Sequence, residues 1–155
     1  MSELSIDEAK THIQEDGFYI IKNADLGSRF QEMRENQRSF SFEEDTGFSF
    51  CREFVLSNPV RDIMDALNSR YILAYSGGLS PDPGRTLSFQ KGGQELIMLV
   101  VQVWPKSPSS KYYRASHKKE ITKVRGATRF FEVAPAELKE KGCDAEDLDM
   151  DQGGL

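Results

Sequence analysis

Few side chains in this chain could act as acids, bases or metal ligands. Two histidines occur, His12 and His117, with two cysteines, Cys51 and Cys143. His117 stands in SSKYYRASHKK, residues 109–119, beside two tyrosines and several cations and just after the longest apolar run. An imidazole so placed can ligate a metal, transfer a proton, clamp an anion or hold a turn. Metal ligation needs a second donor close in sequence or fold, and neither HIQ at His12 nor HKK at His117 supplies a His-x-Asp pair. The cysteines form no CxxC pair and have no zinc spacing, so they are expected as two reduced thiols. No G-x-S-x-G, G-x-x-x-x-G-K or G-x-G-x-x-G occurs, which leaves SGGL and KGGQ as turn glycines. Catalytic residues are therefore unknown at this level.

Two further sets of residues carry chemistry. Lys111, Arg114, Lys118, Lys119, Lys123, Arg125 and Arg129 stand against one acid, Glu120, and an acidic block follows from Glu132 to Asp151. Such asymmetry suits an anionic ligand such as a CoA phosphate or a carboxylate, or a solvated basic loop partly neutralised by the acidic segment; the second reading is favoured. Tyr71, Tyr75, Gln102, Trp104, Tyr112 and Tyr113 are polar-tipped groups suited to the mouth of a small-molecule pocket, or to plain packing.

These groups must be positioned by the elements around them. Ser5 and Glu8 form a capping box, and Ile6, Ala9 and Ile13 repeat at helical spacing up to Asp16-Gly17, which predicts a helix over 6–15. FYIIK at 18–22 predicts a strand, and a second helix is expected over 29–37. The alternating segment SFSFEEDTGFSF suits either a strand pair or a loop pinning phenylalanines. Asn58-Pro59 followed by Val60, Ile63, Met64 and Leu67 on one face predicts a third helix. Beyond Tyr71 the texture is β-rich: YILAYS, RTLSFQ, a KGG turn, then QELIMLVVQVW, apolar on both faces and so expected between layers. Pro105 and Pro108 end it; ATRFFEV predicts a further strand and PAELKEKG a short helix. The order gives an α+β class.

Composition bounds the rest. A length of 155 residues suits a single domain over 1–155, and 38% apolar residues with ten phenylalanines provide a core. A net charge of −5 disfavours nucleic acid as a partner. The start MSELSIDEAK has no leader pattern and the nine-residue LIMLVVQVW is too short to span a bilayer, so no membrane partner is expected and the cytoplasm is the default location.

Four pieces in order, EDGFYIIKN, MLVVQVWPKS leading into YYRASHKK, FFEVAPAEL and MDQGGL, resemble the phytanoyl-CoA dioxygenase family of non-haem iron, 2-oxoglutarate-dependent oxygenases. The resemblance covers most of the chain. It implies a partial double-stranded β-helix, jelly-roll or cupin-like, with helices packed outside. In that family a Pro-Gly-Ser-His loop follows the long strand, and its histidine does not ligate iron. Arg114-Ala115-Ser116-His117 falls on that loop with alanine in the glycine place and no proline, which makes His117 a loop or lid residue. His12 is expected as a helix-surface or packing histidine.

The resemblance also implies a facial triad of two histidines and a carboxylate. Ser88 and Gln90 stand where its first His-x-Asp pair belongs, and both are weak, neutral donors for iron. The distal histidine and the arginine that pairs with 2-oxoglutarate lie beyond Leu155, so the C-terminal strands of the family are missing and a sheet edge is left for a second copy or a partner chain to cover. The reading is a degenerate member of small-molecule metabolism without a metal of its own, acting as a non-oxidative pocket, a lyase- or isomerase-like enzyme or an accessory protein. Its ligand-binding residues would be Tyr75, Ser88, Gln90, Gln102 and Trp104. One alternative is an Fe(II)/2-oxoglutarate oxygenase whose metal site is completed outside this chain; another is a structural interaction domain.

Overall fold

The computed structural model describes residues 5–41, 43–74, 77–78, 84–90, 95–106, 108, 110–126 and 130–155. Helix α1, Ile6–Glu15, has the predicted bounds: Ser5 Oγ accepts the Glu8 amide at 3.3 Å, and Gly17 ends the turn at φ +93°. Its Ala9 and Ile13 pack on Ile63 of helix α4, Val60–Leu67, with Tyr19, Ile21 and Leu99 around them. The anchor of α4 differs from expectation, because Pro59 stands at the cap and no side chain caps the first turn.

Helix α2, Ala24–Glu35, begins well before the expected Arg29. Asn23 Oδ1 accepts the Leu26 amide at 3.0 Å, so NADLGS is a cap and first turn rather than a loop. Gly27 belongs inside this helix because a Cβ there would overlap the carbonyl of Gln152, whose backbone crosses at that point. The ambiguous phenylalanine segment is neither a strand pair nor a plain loop: it contains α3, Asp45–Phe50, which continues into a π-helical turn over Cys51–Val55. Leu26, Met33 and Phe50 are buried there against Phe30, Phe40, Phe54, Val103 and Leu155. The rings interlock, with Phe30–Phe40 centroids 4.8 Å apart and Phe50–Phe54 5.3 Å apart.

The β-rich part comprises β1, Thr86–Ser88; β2, Lys111–Tyr113; β3, Val124–Arg125; β4, Phe131–Val133; and β5, Ala145–Asp147. Among the described residues β4 lies between β1 and β3, antiparallel to both, with Ser88 opposite Phe131 and Val124 opposite Glu132; β2 and β5 form a separate antiparallel pair. Between β4 and β5 lies α5, Pro135–Glu140, started by Pro135 and stopped by Gly142 at φ +72°, as its sequence predicts. Ile121, Val133, Leu138 and Cys143 form the core of this half, with Tyr113 against it. The architecture is α+β.

Several expected strands form no extended ladder. Phe18–Ile21 and Tyr71–Ala74 are unladdered, and Lys22 makes an isolated bridge to Gly154. Glu95–Val103 is likewise without a ladder among the described residues, and Trp104 makes a second isolated bridge to Gly154. Its apolar side chains divide: Leu99 packs on the α1–α4 core and Val103 on the α2–α3 core, while Ile97 is 74% exposed, so the segment does not lie between layers. The expected Lys91-Gly92-Gly93 turn falls outside the described residues. The GGL segment is held on both sides. Ile21 and Leu155 exchange amide-to-carbonyl bonds of 2.9 Å, and Trp104 and Gly154 exchange bonds of 2.8 and 3.2 Å. Gly154 and Leu155 are thus paired with two segments of the same chain. No helix among the described residues is long and apolar enough to cross a membrane.

Candidate functional site

β1 ends on Ser88, and the chain turns at Gln90 so that the Ser88 hydroxyl donates to the Gln90 carbonyl at 2.7 Å. Lys123, just before β3, reaches across to the same place. Its Nζ donates to Ser88 Oγ at 3.1 Å and to the Gln90 carbonyl at 2.9 Å. This side chain is half-buried, and burial pushes its pKa below the ordinary lysine value. The Gln90 side-chain oxygen is buried with no hydrogen-bond partner among the described residues. An orphan acceptor of this kind costs stability unless a ligand or solvent donor satisfies it. The site therefore combines an amine held by two oxygens, one of them the Ser88 hydroxyl and the other the carbonyl of Gln90. In the sequence Lys123 is only one of the seven cations of the block from Lys111 to Arg129; the cue that sets it apart is its place between Ile121 and Val124, at the start of a strand.

Gln102 and Trp104 assemble around a different residue. The Tyr112 hydroxyl donates to Gln102 Oε1. Burial is the main cause that pushes the Tyr112 phenol up to about 12, partly offset by a hydrogen bond involving the Trp104 side chain. The Tyr112 ring packs on Phe18 with centroids 4.9 Å apart. Strand alternation explains the arrangement: Tyr112 faces Phe18, while its neighbour Tyr113 faces the Ile121 core. The predicted set thus divides into Ser88 with Gln90 on Lys123 and Gln102 with Trp104 on Tyr112, with no hydrogen bond between the two groups among the described residues. Tyr75 lies outside the described residues.

The histidines turn up at one place, the Asp16-Gly17 turn. His12 Nδ1 meets Asp16 Oδ2 at 2.7 Å, and Arg114 approaches the same oxygen at 2.6 Å while its other terminal nitrogen pairs with Glu146. The His12 hydrogen bond, with that of Arg114 next, holds the Asp16 carboxyl below its usual range. These residues, with Phe18, Tyr19 and Ile20, line a surface cleft of about 170 Å³. His117 sits in a 3₁₀ turn over Ser116–Lys118 with Nε2 3.1 Å from the Gln14 carbonyl, and its ring packs where a Cβ on Gly17 would stand. It pins the turn to α1. The basic block is partly neutralised by the acidic one, through Lys111 with Asp147 at 3.3 Å and Arg114 with Glu146.

The residues at the position implied for iron do not fit the ion. Ser88 and Gln90 offer a hydroxyl and amide oxygens, hard neutral donors with little affinity for Fe(II). Lys123 Nζ already donates to two of those oxygens and so takes up lone pairs an ion would need. Among the described residues no group of three His, Cys, Asp or Glu side chains is arranged to hold a metal ion.

No family model, no curated protein and no solved structure matches the chain.

Proposed function

We propose that this chain is a degenerate phytanoyl-CoA dioxygenase-like protein, built on a partial double-stranded β-helix, that binds a small carboxylate or carbonyl compound without oxidising it. The observation that carries the reading is the Lys123 amine group on Ser88 Oγ and the Gln90 carbonyl. There an amine of the chain's own meets the two residues at which the resemblance implies a metal. The Lys123 amine and the buried Gln90 side-chain oxygen suit a ligand that carries both a carbonyl or carboxylate and a hydroxyl or N–H donor. The role is that of a non-oxidative pocket in small-molecule metabolism, lyase- or isomerase-like or accessory.

The test is thermal unfolding against a metal-free panel of small 2-oxo acids, hydroxy acids and aldehydes. A member of the panel at about 100 times its Kd raises stability by roughly 2.7 kcal/mol, and the shift is lost in Lys123→Met. A panel with no active member, or a shift unchanged in Lys123→Met, contradicts the proposal.

A further inference from the structure

We infer that Lys123 is a nucleophilic lysine that captures a small aldehyde or ketone as an imine, with Ser88 relaying the proton; this rests on reading Ser88 and Gln90 as a ligand site. A neutral lysine amine has two N–H bonds and one lone pair. Ser88 Oγ at 3.1 Å and the Gln90 carbonyl at 2.9 Å are two acceptors, enough to occupy both N–H bonds and leave the lone pair directed away from them. No carboxylate forms an ion pair with Lys123 among the described residues, so no opposite charge holds the nitrogen protonated, and partial burial favours the neutral amine further. These are the conditions under which a lysine attacks a carbonyl.

The steps balance without any oxidant or reductant. The nitrogen lone pair forms a bond to the carbonyl carbon, and the π pair moves to the carbonyl oxygen. Ser88 Oγ accepts the proton that the nitrogen sheds and passes its own to that oxygen, giving a carbinolamine. A second relay through Ser88 carries the remaining N–H proton to the carbinolamine hydroxyl, which leaves as water as the nitrogen pair forms the C=N bond. The sum is amine plus carbonyl giving imine plus water. The Gln90 side-chain oxygen, on the residue whose carbonyl accepts from Lys123, suits the carbinolamine O–H or a hydroxyl on the substrate.

Incubating the whole chain with glyoxylate, pyruvate or propanal and sodium cyanoborohydride reduces any imine to a stable secondary amine that peptide mass mapping locates. With at least one probe, Lys123 is expected to be labelled on the order of tenfold faster than the other lysines, because an amine held by two neutral oxygens is a better nucleophile than a solvated ammonium. Lys123→Arg removes this label, and Ser88→Ala slows it on the order of a hundredfold. Labelling spread evenly over the lysines overturns the inference, and a rate indifferent to Ser88→Ala overturns the relay. If trapping fails while the metal-free thermal shift persists, the imine alone is wrong. If both fail, the ligand site itself is wrong.

Discussion

Ala115 adopts φ +55°, the left-handed region that costs a residue with a Cβ about 1 kcal/mol, and it does so because its amide must reach the Asp16 carbonyl at 2.7 Å. Ala115→Gly relieves that strain at the cost of a freer unfolded chain, so a net gain of up to about 1 kcal/mol is expected in denaturant unfolding. Loss of stability on that substitution would show that the turn is not left-handed. Tyr112 makes a pH prediction whose sign follows from its direction of shift. Its phenol titrates near 10.0 when unfolded and about 12 when folded, so the folded state favours the neutral form. The resulting contribution, about 2–3 kcal/mol, is fully present below pH 10 and is lost as pH rises through 12. Tyr112→Phe should flatten that alkaline limb. An alkaline limb of the same depth in the variant would place the tyrosine in solvent.

Among the elements, the GGL segment joins parts that are distant in sequence. A Cβ on Gly154 would overlap the Ile21 carbonyl, and one on Gly153 would meet the Gly27 backbone. Gly154→Ala should therefore cost about 2–3 kcal/mol by forcing the Ile21–Leu155 and Trp104–Gly154 bonds apart, measured as a lower denaturation midpoint. A change under about 0.5 kcal/mol would mean that this ladder does not form. The same element shows what was legible in the sequence. Helix α1 was readable to the residue because a capping box and a 3.6-residue apolar period agree, and α5 because proline and glycine bracket it. The start of α2 was hidden, since NADLGS has turn composition and Gly27 is there for the crossing backbone of Gln152. β2 and β5 were missed because three-residue strands are too short to display an alternation. The Glu95–Val103 run misled for the opposite reason: its apolar side chains are drawn to two separate cores, and composition alone does not reveal a ladder.

At the scale of the whole molecule, local patterning gave the α+β class, whereas the sites depend on contacts distant in sequence. Ser88 and Gln90 were singled out by resemblance, yet their partner Lys123 is 35 residues from Ser88 and had no local signature. Gln102 and Trp104 likewise found their partner in Tyr112, across two prolines. The most direct test of the account is anaerobic calorimetry, in which the chain and Lys123→Met are each titrated with ferrous ion and with 2-oxo acids, separately and together. The account predicts that a 2-oxo acid binds the unmodified chain without metal, that Lys123→Met abolishes this binding, and that ferrous ion gives no one-to-one signal. Tight stoichiometric binding of ferrous ion that a 2-oxo acid requires and Lys123→Met leaves intact would contradict it.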